Sequence, residues 1–342
     1  MPRPKVLVSA ADAMPSNGKP TLKTIAQMSG LAVPTISRAL NDAPDIGNST
    51  KELVRKIAAE IGYVPNRAGV RLRTGRTNVI SLVMSTEHDN LTSRLISSVA
   101  RGLTGTRFHL NVTPHAIDND HMKPIRYLVE TGSADAIIFN QIEPEDERVA
   151  FLMERNFPFA THGRSKWADK HAYYDFDNGA YGRLAVQKLH ERGRDNLIAV
   201  VPPVNQNYCL NMMAGMQEGT TANNQNLHIL EGVTSDDDTE TLILALRNYL
   251  TAHPQTNGII CASTAAAMAA VAALENNGMV VGREIDVLAK EVAPFLSLFR
   301  SNIVTVSEAV GDAGDFLAKA AIQAIRDPDL PPMQFVEVPQ ID

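Results

Sequence analysis

Leu22, Ile25 and Ala26 recur at helical spacing behind Thr21, which is suited to cap a helix N-terminus; the pattern stops at Gly30, a residue that takes positive φ at little cost. Val33, Ile36, Ala39 and Leu40 then repeat at steps of three and four, which predicts a second short helix whose apolar face packs on the first. Two short helices joined by a glycine turn make a helix-turn-helix, its second helix shaped for a DNA major groove; an ordinary helical hairpin carries the same apolar pattern. After a polar loop from Asn41 to Gly47, Leu53, Val54, Ile57, Ala58 and Ile61 predict a third helix, capped by Ser49 or Thr50 and ended by Gly62. Tyr63-Val64-Pro65 leads away in extended form, because the residue before proline avoids the helical region. Residues 66 to 72 can form barely two helical turns, marginal in water, and Gly69 weakens them by about 1 kcal/mol relative to alanine.

From Asn78 the periodicity changes. Strands are expected at Val79–Met84, Phe108–Val112, Ala136–Phe139 and Phe157–Thr161, separated by helices near Leu91–Leu103, Met122–Thr131 and Asp146–Asn156. Past Tyr173 the series resumes with helices at Gly179–Arg192, Leu210–Thr221, Thr239–His253 and Ala265–Asn277, and strands at Leu197–Val201, His228–Glu231, Gly258–Cys261 and Ile285–Leu288. Strands alternating with helices of this length mean parallel sheets covered on both faces, and two series suggest two lobes.

Composition changes this picture in one respect. The chain has 342 residues, 44% of them hydrophobic, enough for more than one core. Its net charge of -6 is an uneven sum: residues 1–76 hold 12 basic and 5 acidic residues, a balance of +7, whereas residues 77–342 hold 20 and 33, a balance of -13. Such segregation points to a nucleic-acid module joined to something else. No apolar run reaches the length of a membrane span, no signal-peptide core follows the first basic residues, and the two cysteines, Cys209 and Cys261, lack metal-ligand spacing. The expectation is a soluble cytoplasmic protein with free buried thiols, no membrane association, no cofactor and no metal.

On the second helix, Thr35, Ser37, Arg38 and Asn41 are left for phosphates and base edges, with no acidic residue among them. Ala32-Val-Pro-Thr-Ile-Ser-Arg-Ala-Leu-Asn41, followed by Gly62-Tyr-Val-Pro-Asn-Arg-Ala68 and Leu72-Arg-Thr-Gly-Arg-Thr77, resembles the DNA-binding headpiece and hinge of the LacI family of repressors. The match runs without a gap from Lys19 to about Thr77 and more loosely to the C-terminus. The resemblance implies an all-α helix-turn-helix headpiece and an α/β core of two periplasmic-binding-protein-like lobes with parallel sheets. The corresponding divisions are a mobile tail over 1–18, expected to be solvated with phosphate contact by Arg3 and Lys5 as the alternative, a headpiece over 19–63, a hinge over 64–76 and a core over 77–342. Lobe 1 is expected over about 77–174 and 307–335, lobe 2 over about 175–306 and 336–342, with crossings near Tyr174, Val306 and Phe335. DNA contacts are expected from Thr21, Leu22, Lys23, Val33, Pro34, Thr35, Ser37, Arg38, Asn41, Tyr63, Asn66, Gly69, Arg71 and Leu72. Leu72 matches the family's minor-groove wedge, supplied by hinge helices of two subunits that order together on DNA; Arg71 and Arg73 flank it.

Ligands of open parallel sheets sit at the carboxyl ends of the strands, and the expected ligand contacts are taken from there: Thr86, His88, Asn140, His162, Arg164, Trp167, Tyr174, Tyr208, Asn211, Met212, Ser263, Glu291, Phe295 and Glu308. Amides, carboxylates and guanidinium groups with a few rings suit a polyhydroxylated ligand. The chain departs from the family pattern at Met212, where many members have arginine, at Ser263-Thr264, where Asn-Asp is common, and at Ala289-Lys290-Glu291, where Gly-Tyr-Asp is common. Arg164 is the candidate replacement clamp. The expected function is a repressor, active as a homodimer on a pseudo-palindromic operator, whose affinity is set by a small-molecule effector. A neutral saccharide of sucrose size is expected, with a nucleoside or a sugar acid held by Arg164 and Lys290 as alternatives. The competing class is a sugar-processing enzyme using His162, Asp177, Glu291 or Glu308 as acid and base; the chain has no phosphate loop, GxSxG, HExxH or dinucleotide fingerprint.

Overall fold

The computed structural model describes residue 13 and residues 18–64, 71, 75–85, 90–115 and 120–341. The expected contacts Asn66, Gly69, Leu72, Thr86 and His88, with Arg3, Lys5 and Arg73, fall outside the described residues. The chain divides into two compact units, 1–77 and 78–342.

In the first unit α1 (Leu22–Ser29), α2 (Val33–Leu40) and α3 (Asn48–Glu60) enclose Ile25, Ile36, Ala39, Val54, Ile57 and Ala58. Thr21 caps α1 reciprocally with Thr24: each side-chain oxygen accepts the other's backbone N–H, at 3.3 and 3.0 Å. Gly30 ends the helix with φ 69°. The third helix begins two or three residues earlier than expected. Gly47, not Ser49 or Thr50, holds the cap position, its carbonyl accepting from the amides of Thr50 and Lys51. A cap needs an extended backbone and a free carbonyl, which glycine provides without a side chain.

The second unit holds two six-stranded sheets. The first is ordered β11-β5-β4-β3-β1-β2 and is parallel throughout; its strands are β1 (Val79–Ser85), β2 (His109–His115), β3 (Ala136–Phe139), β4 (Phe159–His162), β5 (Ala172–Phe176) and β11 (Gln334–Glu337). Side chains alternate across it: Ile80, Leu82, Ala136 and Ile138 face one core with α4 (Asn90–Gly102), while Val83, Ile137 and Phe139 face another with α5 (Met122–Glu130) and α6 (Glu147–Glu154). Burial on both faces explains why these strands read as unbroken apolar runs. The second sheet is ordered β12-β10-β9-β8-β6-β7, from β6 (Asn196–Val200), β7 (Asn226–Ile229), β8 (Gly258–Cys261), β9 (Asp286–Glu291), β10 (Val304–Ser307) and β12 (Gln340–Ile341), the last antiparallel. Its helices are α7 (Asn178–Glu191), α8 (Asn207–Asn223), α9 (Thr239–Ala252), α10 (Thr264–Asn276) and the short α11 (Leu296–Phe299). The last helix, α12 (Val310–Arg326), returns to the first sheet, where Val310, Ala313 and Leu317 join Leu95 and Val99 of α4. The chain passes between sheets after β5, after β10 and between β11 and β12.

The close approach of α7 and α8 depends on absent side chains. A Cβ on Gly215 would lie 2.0 Å from the Gly179 carbonyl oxygen, and one on Gly182 would lie 2.4 Å from that of Met212. Gly215→Ala must therefore push two helices apart at backbone, at an expected cost of about 1–3 kcal/mol. Urea denaturation checks this prediction; a midpoint equal to the parent's would show that the helices separate freely.

Candidate functional site

Between the lobes of the second unit, at the carboxyl ends of the strands, lies a cavity of about 530 Å³. The first lobe contributes Ser85, Asn140, Gln141, His162 and Asp175; the second contributes Tyr208, Asp236, Ser263 and Lys290, and the crossing segments bring Phe176, Asn178 and Glu308. Strand ends converge here because parallel strands point one way, so each lobe offers a row of loop-borne polar groups.

A buried charge cluster forms the floor. Lys290 Nζ lies 2.8 Å from Glu308 Oε2, and Glu308 Oε1 lies 3.6 Å from His162 Nε2. Lys290 Nζ also donates to Asn178 Oδ1 at 3.3 Å and stands 5.0 and 6.0 Å from the ring centroids of Phe176 and Tyr208. Burial works to raise the Glu308 carboxyl, but the Lys290 ammonium beside it outweighs burial and holds the group below the ordinary carboxylate value. Burial pushes the His162 imidazole down, with Glu308 opposing and Lys290 assisting, so the ring is neutral at pH 7.

Arg164 Nε donates to Asp175 Oδ2 at 2.5 Å. Burial nonetheless raises Asp175 to about 6, with Arg164 holding it from going higher. A carboxyl whose folded value lies above its unfolded one binds its proton more tightly when folded, so this group's contribution to stability falls as pH rises from about 4 to about 6. Arg164→Met is predicted to extend that decline beyond pH 6, read from unfolding free energy against pH; an unchanged profile would show that Arg164 does not support the carboxylate.

One side of the cleft is bridged by hydrogen bonds. Asn207 Nδ2 donates to the Arg164 carbonyl at 2.7 Å, Asn207 N to the Ile142 carbonyl at 2.8 Å, and Asn205 Nδ2 to Glu143 Oε1 at 2.7 Å. These bonds join the start of α8 and the loop before it to the loops after β3 and β4.

Of the expected contacts, Asn140, His162, Tyr208, Ser263 and Glu308 line the cavity. The other described ones are placed elsewhere. Met212 is fully buried in the core that α7 and α8 share and does not line the cavity. Asn211 is on the same helix, outside the lining. Glu291 is fully buried and accepts from the amides of Phe295 and Leu296 at 3.0 and 2.8 Å, capping α11; Phe295 is exposed and packs on Phe299. Tyr174 lies behind His162, its hydroxyl donating to Glu337 at 2.8 Å, and Trp167 packs on the outer core of the first lobe. Arg164 is spent on Asp175 rather than clamping. Asp175, Phe176, Asn178 and the 235–239 loop also line the cavity, although none is among the expected contacts.

In the first unit Pro34, Arg38 and Asn41 lie exposed along one face of α2, with Val33 and Thr35 half-buried beside them. Pro34 is in the first turn, where an amide has no helical partner to lose, and Ala32 supplies no side-chain cap. Arg38 is exposed and pairs with Asp45 at 2.5 Å. Asn41 Nδ2 donates to the Ser37 carbonyl. Ser37, one turn from both Pro34 and Asn41, is buried. Thr21, Lys23 and Arg71 are exposed; Leu22 and Tyr63 are half-buried.

Among the described residues no helix is long and apolar enough to cross a membrane. Cys209 and Cys261 are both buried and unbridged; burial pushes the Cys209 thiol up to about 11.

Comparison with known proteins gives the same two-part division. Residues 21–66 match the model of bacterial regulatory proteins of the lacI family, and residues 120–328 match that of a periplasmic binding protein domain. The chain is 28% identical to the HTH-type transcriptional regulator AglR of Rhizobium meliloti (strain 1021), over 89% of this chain and 87% of that protein. A solved complex of the transcriptional regulator CelR with cellobiose superposes with a TM-score of 0.69 at 20% identity, over 95% of this chain and 98% of that one. The lac repressor dimer bound to operator and the anti-inducer ONPF superposes with a TM-score of 0.80 at 17% identity, over 94% and 97%.

Proposed function

Since the chain belongs to the LacI family of bacterial regulatory proteins, we propose that it is a transcriptional repressor, active as a homodimer, whose hold on a pseudo-palindromic operator is set by a saccharide in the cleft. The observation that carries this reading is the presence, in one chain, of a helix-turn-helix with an exposed Pro34-Arg38-Asn41 face and a two-lobed core with a polar cavity. A single headpiece reads a half-site, so operator symmetry asks for two copies. An effector acts by binding two lobe arrangements with different affinity, thereby shifting their populations. AglR and CelR are regulators and CelR is solved with cellobiose, which supports a disaccharide or glycoside as the effector class. The enzyme reading loses two of its four candidates to structural tasks: Asp177 caps α7 through the Ala180 amide and Glu291 caps α11.

The test is selection of binding sites from a random DNA pool, followed by titration of the full chain. A palindromic site should emerge; recovery of no sequence would contradict the reading. Exchanging Val33 and Pro34 should change which sequences emerge, since these residues offer apolar contact to thymine methyls and no bidentate bonds. Lys23→Ala or Arg38→Ala should instead lower the slope of log K against log salt by about 0.9 for each phosphate no longer neutralised. Leu72→Ala should weaken binding and reduce DNA bending if this residue is the wedge; parent-like bending would make 64–76 a linker.

A further inference from the structure

We propose that the cleft sorts polyhydroxylated ligands by charge, admitting neutral and amino-bearing ones and excluding those with a phosphate or carboxylate, with Asp236, Asp237 and Glu308 as specificity-determining residues. The inference rests on the saccharide reading and adds to it which chemical forms of a sugar are recognised.

An anionic group needs an unspent cation or helix N-terminus. Among the described residues lining the cavity there are five carboxylates, Asp175, Asp236, Asp237, Asp238 and Glu308, against one lysine and no arginine. That lysine, Lys290, is committed to Glu308, and the nearby Arg164 is committed to Asp175. The neutral His162 ring adds no positive charge.

Among the described residues, α4, α7, α8, α9 and α10 have first-turn residues at the cavity; α7, α9 and α10 are capped from within by a side chain, while α8 has no side-chain cap and turns its first amide to the Ile142 carbonyl. Asp177 accepts the Ala180 amide of α7, Asp238 the Thr241 amide of α9 and Ser263 the Ala266 amide of α10, at 2.9, 2.9 and 3.1 Å. Two of these caps are carboxylates, so at α7 and α9 the seat a ligand phosphate would take carries the protein's own negative charge. Asp237 accepts from the Thr234 amide and hydroxyl, neutral donors that leave its charge in place.

A second observation points to a donor on the ligand. Asn140 lines the cavity, is only 9% exposed, and its Oδ1 has no hydrogen-bond partner. A buried acceptor of this kind is satisfied by a hydroxyl or an ammonium and repels an oxyanion.

The test uses the full chain and a panel of cellobiose, sucrose, melibiose and raffinose. Stabilisation on heating is measured first and affinity by calorimetry next, followed by the 6-phosphate, the aldonic or uronic acid and the 2-amino derivative of the best binder. The acid and phosphate forms should bind at least about tenfold more weakly than the neutral sugar, and the amino form should not. In low salt, Asp236→Asn with Asp237→Asn should narrow that gap by raising affinity for the phosphate. An anionic form that binds as tightly as the neutral one overturns the inference while leaving the saccharide reading intact. A gap unchanged in the double variant overturns the roles of Asp236 and Asp237. Absence of binding by every panel member and derivative overturns the saccharide reading and this inference together.

Discussion

Glu308→Ala is expected to destabilise the core by about 3–5 kcal/mol, the cost of leaving a buried charge without its partner. Lys290 and Glu308 are only 8% and 4% exposed, so the stranded ammonium would meet Phe176 and Tyr208 rather than water. The alternatives open to Lys290 are to release its proton or to draw water into the floor of the cleft, and either disturbs Asn178, which accepts from it. Lys290→Met together with Glu308→Leu should recover most of the loss, because removing both members of a buried pair is often neutral. Urea unfolding of the parent, the single variant and the double variant measures this. A Glu308→Ala protein as stable as the parent would mean that Lys290 is solvated by another route.

A chain shortened to 78–342 is expected to lose operator binding entirely. The segment removed carries a charge balance of +7 and the remainder -13, so nothing in the core replaces the lost attraction. The shortened chain keeps both sheets and their cores, because the division between compact units falls at residue 77. Sugar-induced stabilisation should therefore persist with unchanged affinity. Specific DNA binding by 78–342, or loss of its sugar response, would break the division of labour between the two units.

Much of this division is legible from residue patterns. Thr21 and Gly30 bracket the first helix, and the parallel strands announce themselves because burial on both faces leaves runs such as Ile80 to Met84 and Ile259 to Cys261 almost wholly apolar. Elements near the crossings are harder to read. β11 is Gln-Phe-Val-Glu, exposed or half-buried, and pairs only with β5, so it has no apolar run. Helix α12 is not among the elements named from the pattern, although Val310, Ala313, Leu317, Ala321 and Ile325 recur at helical spacing through it. Packing supplies a reason for Gly314: a Cβ there would lie 1.9 Å from Ser98 Oγ of α4.

The cleft is legible to the same degree and for the same reason. Asn140, His162 and Ser263 follow strands with clear apolar runs, and strand ends point into the cavity. Asp175, Phe176 and Asn178 escape a reading of the pattern because β5 looks like a crossing segment rather than a strand with its own carboxyl end. The 235–239 loop escapes it because β7 ends at Ile229, two residues before the expected Glu231, and its irregular continuation carries no periodic signal. Met212 illustrates the opposite error. Correspondence with a family position suggests a cleft residue, but Gly182 and Gly215 let α7 and α8 approach closely, and Met212 is buried in the core they share.

The most direct test of coupled DNA and ligand binding is titration of the full chain onto its selected operator, with and without a saturating concentration of the saccharide that stabilises the protein most. Operator affinity is expected to change by about 5- to 150-fold, the usual range of coupling between linked sites, with little change on scrambled DNA. Identical operator affinity in both conditions, with the saccharide demonstrably bound, would contradict the coupling.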